Sequence, residues 1–128
     1  MIQNVAVFTR TNPGFVRLGN LLGKETLYDY IDKFGFGSKT GVDLNGEGKG
    51  IIFDLEDVHD LELATTAFGQ GVSVTPIQQV TAVSAVVNGG ILYQPYIVKN
   101  ILDSATNSVI ETKKSKPLQT PCAVTSAH

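Results

Sequence analysis

The chain has 128 residues, of which 42% are hydrophobic and 17% are charged, and its formal net charge is −2. This length and composition predict one globular domain and exclude an intrinsically disordered protein. The small negative charge gives no electrostatic reason to expect nucleic acid as a partner. Cys122 is the only cysteine, so no internal disulfide is expected. No apolar run approaches the ~18 residues of a membrane-spanning helix, and we expect no membrane anchor within this chain.

Two short helices are predicted near the N-terminus, after a short strand or lead-in at Met1–Val7. The segments Phe15–Leu22 and Glu25–Phe34 each carry apolar side chains at helical spacing. Pro13 disfavours helical geometry at the residue before it. We therefore expect Asn12 in an extended or turn conformation at the head of the first helix.

A long surface loop is predicted after these helices, because polar residues and glycines interrupt the apolar ones throughout residues 38–52. An acidic segment, Asp54–Glu62, then leads into a predicted helix at Leu61–Ala67.

The stretch Thr66–Gly90 contains the helix around which the rest of the chain is organised. A tight glycine loop, Phe68–Gly71, comes first. Thr75 is then a predicted helix N-cap and Pro76 the first helical residue, where its missing N–H has no effect. The helix itself, Ile77–Val87, is apolar nearly all round, and such a helix belongs in the interior of a larger protein.

Short strands are predicted in the C-terminal third, at Ile91–Tyr93, Tyr96–Leu102 and Ser108–Thr112, separated by turn residues. From Lys113 to His128 the sequence is polar and shows no periodicity, and we expect disorder there.

Two acidic regions invite comparison with metal sites, and neither meets the requirements. The loop from Asp43 to Asp54 has oxygen ligands at alternate positions, as a calcium loop needs. Its eighth position is Gly50, however, and no helix precedes it, so calcium binding is the least favoured alternative. His59 lies among carboxylates, but one histidine does not supply a tetrahedral ligand set. We expect no metal ion.

The triplet Lys39-Thr40-Gly41 matches a motif of serine enzymes that react with penicillin, in which it lies on a strand at the active site. Here it stands in the predicted loop, and this position favours a structural role.

Several longer motifs resemble the class B high-molecular-weight penicillin-binding proteins, which are peptidoglycan D,D-transpeptidases. The motifs occur in the order found in that family, from about residue 12 to residue 114, and the subgroup they resemble is the cell-division and spore-cortex type. The matching segments are FGFGSKTGVDLNGE (34–47), LATTAFGQG (63–71), VTPIQQ (74–79), NGG (88–90) and YQPYIV (93–98).

The resemblance implies an α/β (α+β) fold. This would be the mostly helical part of the penicillin-binding transpeptidase fold, which is similar to that of serine β-lactamases, with a few short C-terminal strands. Residues 12–114 would form a partial transpeptidase domain, residues 1–11 a lead-in of doubtful kinship, and residues 115–128 a disordered tail. We therefore expect an internal piece of a longer protein.

The resemblance also shows which catalytic groups to look for. The family uses a Ser-x-x-Lys nucleophile motif, a Ser-x-Asn motif and a later Lys-Ser/Thr-Gly motif. No serine in this chain is followed three residues later by lysine, so no nucleophile is present. The Ser-x-Asn motif falls on Arg10-Thr11-Asn12. Asn12 matches its third position and is the candidate catalytic residue, whereas Arg10 replaces the serine and stays protonated, which prevents proton relay.

For the parent protein, the resemblance implies acyl transfer between peptidoglycan stem peptides through a serine acyl-enzyme, which β-lactams also form. No cofactor is implied. The parent would be tethered at the outer face of the bacterial cytoplasmic membrane by an anchor absent from this chain, near other cell-wall synthesis proteins. The isolated chain is predicted to be inactive. An alternative is a non-catalytic binding or scaffold module that reuses the fold, with Arg10 as an adaptation.

Overall fold

The structure, a computed structural model, describes residues 11–121. Within this range four helices precede four short strands, and a 3-10 turn at Leu55–Asp57 comes before the third helix. This order confirms the predicted mixed α/β fold. The elements are α1 (Asn12–Leu22), α2 (Lys24–Lys33), α3 (Asp60–Ala67), α4 (Pro76–Val87), β1 (Leu92–Gln94), β2 (Asn100–Leu102), β3 (Val109–Thr112) and β4 (Lys116–Gln119).

Helix α1 begins at Asn12, and the prediction of a turn there is wrong. Thr11 takes the N-cap position with extended backbone angles (φ −91°, ψ 130°), and Pro13 falls within the first turn. A proline in the first turn removes no helical hydrogen bond, because the first N–H groups of a helix have no intrahelical acceptor. Residues before the predicted start at Phe15 can therefore belong to the helix, although the rule for a residue that precedes proline had predicted a turn there.

Helices α1 and α3 pack together through two small residues. Gly19 is buried in α1, and a Cβ atom added to it would lie only 2.6 Å from the Cβ of Ala67 in α3. A larger residue at either position would push the two helices apart.

The principal buried cluster joins α2, α3 and the segment between them. Tyr28 and Leu63 are 9% exposed and Val58 is 1% exposed. The hydroxyl oxygens of Tyr28 and Thr66 lie 3.3 Å apart, so the buried phenol has a hydrogen-bond partner. The cluster holds α2 against α3 and thereby sets the point from which the long loop leaves α2.

Helix α4 is capped as predicted but is covered on one side only. The Gln78 N–H donates to the Thr75 hydroxyl at 3.3 Å, and the Thr75 N–H donates to the Gln78 side-chain oxygen at 2.8 Å, which completes a capping box. Ala82 and Ala85 are buried on the covered side. The other side is apolar and 57–79% exposed, and it consists of Val80, Val83, Val86 and Val87.

The strands form two separate antiparallel pairs, β1 with β4 and β2 with β3. Strand β4 corrects the prediction of disorder from Lys113 onward, because Lys116 lies opposite Gln94 and Pro117 opposite Tyr93. A proline is compatible with a strand that has a neighbour on one side only, since its other edge donates no ladder hydrogen bonds. The division at residues 12–114 is otherwise still a prediction.

Several predictions fall outside the described residues. These are the lead-in at Met1–Val7, the replacement at Arg10 and the thiol of Cys122. Between residues 11 and 121, no helix is long and apolar enough to cross a membrane.

Candidate functional site

Asn12, the predicted catalytic residue, is exposed at the N-terminus of α1. Thr11 precedes it as the helix N-cap, so the described part of the degenerate Ser-x-Asn motif lies where a helix begins. The first backbone N–H groups of a helix carry partial positive charge, which favours negative charge nearby. The catalytic role of Asn12 is still a prediction.

Residues 38–53 form an irregular segment between α2 and the 3-10 turn, as predicted, and we call it the connector loop. The triplet Lys39-Thr40-Gly41 lies in this loop and not on a strand. Thr40 is 8% exposed, because the loop folds back over it.

The carboxylate of Glu47 closes the connector loop on itself. One oxygen accepts the Thr40 N–H at 2.6 Å and the Thr40 hydroxyl at 2.5 Å, and the other accepts the Gly41 N–H at 3.1 Å. Burial alone would raise the pKa of Glu47, but the hydrogen bonds from Thr40 and Gly41 outweigh it and hold the pKa below its usual value. The Thr-Gly pair of the triplet thus binds a carboxylate within the chain.

The side chain of Gln78 attaches the connector loop to α4. Its Nε2 donates to the carbonyl oxygen of Ser38 at 2.7 Å and to that of Lys49 at 2.9 Å. Gln78 is 1% exposed, and its Oε1 already accepts the Thr75 N–H. Both ends of the loop are therefore held at the N-terminus of one helix.

Two further side chains attach the loop to the C-terminal segment. The carboxylate of Asp43 accepts the N–H of Ile97 at 2.8 Å and of Val98 at 2.9 Å. Gln94 Nε2 donates to the carbonyl oxygen of Gly41 at 2.6 Å. These contacts place the short strands against the connector loop.

Gly50 lets the end of the loop pair with the residues before α4. Its φ is +73°, and an added Cβ atom would overlap the carbonyl oxygen of Ser73. Ile51 and Ser73 exchange two backbone hydrogen bonds of 2.8 Å, which form an isolated antiparallel bridge.

The carboxylates of the loop that was compared with a calcium site do not converge. Asp43 bonds to the C-terminal segment, whereas Glu47 bonds to the start of the loop. Within residues 11–121, no group of three or more His, Cys, Asp or Glu side chains is arranged to hold a metal ion. The arrangement is a scaffold that holds one loop against α4, the end of β1 and the segment that follows β1.

The comparison with known families identifies the class of protein. The family described as "Penicillin binding protein transpeptidase domain" matches residues 6–125. The chain therefore belongs to the penicillin-binding protein transpeptidase family, as its motifs predicted. The matched range is wider at both ends than the predicted range of 12–114.

Comparison with individual proteins shows which members of the family this chain resembles. Stage V sporulation protein D of Bacillus subtilis is 64% identical over 107 residues, which cover 84% of this chain and 16% of that protein. Penicillin-binding protein PbpB of Mycobacterium tuberculosis is 35% identical over 89 residues, 70% of this chain and 13% of that protein. Peptidoglycan D,D-transpeptidase FtsI of Escherichia coli is 31% identical over 91 residues, 71% of this chain and 15% of that protein. The chain thus spans less than a fifth of the length of these relatives.

Solved structures share the fold. Penicillin binding protein 3 from Mycobacterium tuberculosis, complexed with aztreonam, matches with a TM-score of 0.78 at 30% identity over 87% of this chain and 25% of that one. The same protein has been solved in complex with ampicillin. Penicillin Binding Protein 2X from Streptococcus thermophilus matches with a TM-score of 0.77 at 29% identity over 88% of this chain and 16% of that one.

Proposed function

We propose that this chain is a scaffold part of a serine D,D-transpeptidase that cross-links peptidoglycan stem peptides. In that reaction a serine attacks the carbonyl carbon between the two terminal D-alanines, D-alanine leaves, and the amine of a neighbouring stem displaces the serine from the acyl group. β-Lactams acylate the same serine. The observation that carries this proposal is the 64% identity to Stage V sporulation protein D.

The described residues support a positional role in such an enzyme. Glu47, Gln78 and Asp43 hold the connector loop, and none of them is the serine that this reaction requires. The sequence contains no Ser-x-x-Lys motif. The isolated chain therefore forms no acyl-enzyme, and Asn12 contributes to the substrate site only within the parent protein.

The parent protein acts at the outer face of the cytoplasmic membrane with other cell-wall synthesis proteins. The sporulation subgroup is favoured, because identity to Stage V sporulation protein D is 64%, whereas identity to the FtsI enzyme of Escherichia coli is 31%.

The test uses a fluorescent penicillin and a denaturing gel. The chain alone is expected to give no labelled band, whereas full-length Stage V sporulation protein D is labelled under the same conditions. A labelled band from the chain alone would show that it carries a nucleophile and contradict the proposal.

A chimera tests whether this chain can serve as part of an active penicillin-binding enzyme. Residues 12–114 replace the matching segment of Stage V sporulation protein D, and the chimera is expected to keep its labelling. Asn12→Ala in the chimera slows labelling about tenfold or more, because a polar contact to the reacting penicillin is lost. Asn20→Ala, at another exposed asparagine of the same helix, leaves the rate unchanged. A folded chimera that is not labelled overturns the proposal.

A further inference from the structure

A small cavity lies between the connector loop and the C-terminal strands. Its volume is about 210 Å³, and its lining comes from three segments of the chain. The connector loop contributes one segment, the chain around the end of β1 the second, and the chain that leads into β4 the third. The polar lining residues are Asp43, Gln94, Tyr96, Lys113, Lys114 and Lys116.

The cavity concentrates positive charge in a chain that is acidic elsewhere. Residues 1–90 carry six basic and ten acidic side chains, whereas residues 91–128 carry four lysines and two acidic side chains. Three of those four lysines line the cavity. These three lysines are exposed, so their positive charges repel one another only weakly, and a negative charge among them removes that repulsion.

The acidic groups nearby do not supply that charge in full. The carboxylate of Asp43 is already the acceptor for the N–H groups of Ile97 and Val98, and these bonds, with a weaker attraction from Lys113, hold its pKa below its usual value. Lys113 pairs with Glu111 at 3.1 Å. Among the described residues no ion pair engages the remaining two lysines of the cavity, Lys114 and Lys116.

The size and chemistry of the cavity define what it accepts. At about 210 Å³ it is smaller than a typical cavity for a whole ligand, which is ~300–1,000 Å³, and holds one small group. Lysine ammonium groups bind carboxylates and phosphates as point charges, without a fixed planar geometry. Gln94 Nε2 already donates to the loop, so the ammonium groups of Lys114 and Lys116 are the main donors for a ligand.

We propose that this cavity binds an oxyanion group, a carboxylate or a phosphate, carried by an anionic ligand that approaches from solvent. The site goes beyond the transpeptidase reaction and does not depend on it, because it requires no acyl-enzyme.

The experiment measures binding of citrate and of tripolyphosphate to the whole chain by calorimetric titration at low salt. One saturable site is expected, with an affinity that falls as salt is added. The double variant Lys114→Gln/Lys116→Gln weakens binding about tenfold, as the loss of two exposed charge contacts implies. The matched control, Lys39→Gln/Lys49→Gln, has the same net charge but loses two lysines outside the cavity, and it changes the affinity by less than about twofold.

The outcomes separate the sources of the anion. Binding of citrate alone identifies a carboxylate, and binding of tripolyphosphate alone identifies a phosphate. Equal weakening in the two double variants overturns the proposal, because it shows diffuse charge attraction, and so does the absence of a saturable site for both anions. In the unsubstituted chain, NMR shifts on titration are expected at the backbone amides of Tyr96, Lys114 and Lys116. Shifts confined to other regions also overturn the proposal.

Discussion

The side-chain amide of Gln78 connects positions that are 29 and 40 residues away in sequence. The Gln78 side chain is 1% exposed and its contacts with the carbonyl oxygens of Lys49 and Ser38 are partly buried, so water replaces them only in part when the amide is removed. A buried polar group left without a partner costs about 1–3 kcal/mol, more than the net gain from a typical hydrogen bond. The main free-energy cost of removing the Gln78 side chain therefore comes from the groups that lose their hydrogen-bond partner.

The substitution Gln78→Ala is expected to release the connector loop while leaving α4 helical. At a cost of about 2–3 kcal/mol for the unpaired groups, the open loop becomes more than tenfold more populated. Trypsin cleavage after Lys49, followed by mass spectrometry, measures this population. The control is Gln79→Ala, which removes the same side chain from an exposed position of the same helix. Equal cleavage rates in the two variants would show that Gln78 does not hold the loop.

The contacts between residues that are near in sequence were predictable, and the contacts between residues that are distant in sequence were not. Thr75, Pro76 and a Gln at the third helical position form a capping pattern that depends on spacing alone. The contacts of Glu47 stay within the loop, but those of Asp43 reach Ile97, 54 residues away. A carboxylate in a polar loop carries no local signal of such a partner, so these roles were missed.

At the scale of elements, the conformation of the connector loop depends on the positions of its glycines. Gly46 and Gly50 both have positive φ angles, +83° and +73°, but only Gly50 also lies against another segment of backbone. Gly48 does not have a positive φ angle, and its added Cβ would meet only the Thr75 methyl group at 3.7 Å. Substitutions at the three glycines can therefore distinguish the effect of an unfavourable φ angle from the effect of steric overlap.

Alanine at each of these glycines is expected to loosen the bridge between Ile51 and Ser73 to a different degree. Gly48→Ala leaves it unchanged. Gly46→Ala costs about 1–2 kcal/mol through the unfavourable φ angle. Gly50→Ala has the largest effect, because it adds overlap with the carbonyl oxygen of Ser73. Hydrogen exchange at the amides of Ile51 and Ser73 measures the order, and faster exchange in Gly48→Ala than in Gly50→Ala would contradict it.

Element types were predicted better than the contacts between elements. Helix α2 was predicted within one residue at each end, since its apolar residues repeat at helical spacing. Strand β4 was missed because its polar sequence has no alternation, and its pairing with β1 alone defines it. The start of α1 was missed because the rule for residues before proline was given more weight than the tolerance of proline in a first helical turn.

At the scale of the whole molecule, the apolar surface is unevenly distributed. Among the described residues, seven hydrophobic side chains are buried, whereas 22 large hydrophobic side chains are exposed. The exposed side of α4 is part of this surface, with Val80, Val83 and Val87 at helical spacing. A small buried set leaves little free energy to oppose the conformational entropy of unfolding.

The isolated chain is therefore expected to melt without a sharp cooperative transition and to self-associate. Val83→Gln with Val87→Gln increases the fraction of soluble monomer without loss of helicity, because these side chains are 57% and 79% exposed. Sedimentation and far-ultraviolet circular dichroism measure the two effects. Ala85→Gln is the opposite control, since Ala85 is 0% exposed and the larger side chain disrupts the helix contact. A sharp thermal melt of a soluble monomeric chain would contradict the prediction.

The contacts of Asp43 also set an order of events during synthesis. Its partners at Ile97 and Val98 leave the ribosome 54 and 55 residues after it. At translation rates of ~5–20 residues per second, this delay lasts roughly 3–11 s. Glu47, six or seven residues from its own partners, closes on Thr40 and Gly41 almost at once. The loop is thus shaped early by its own carboxylate and joined to the C-terminal strands only seconds later, an interval in which a nascent chain depends on local contacts alone.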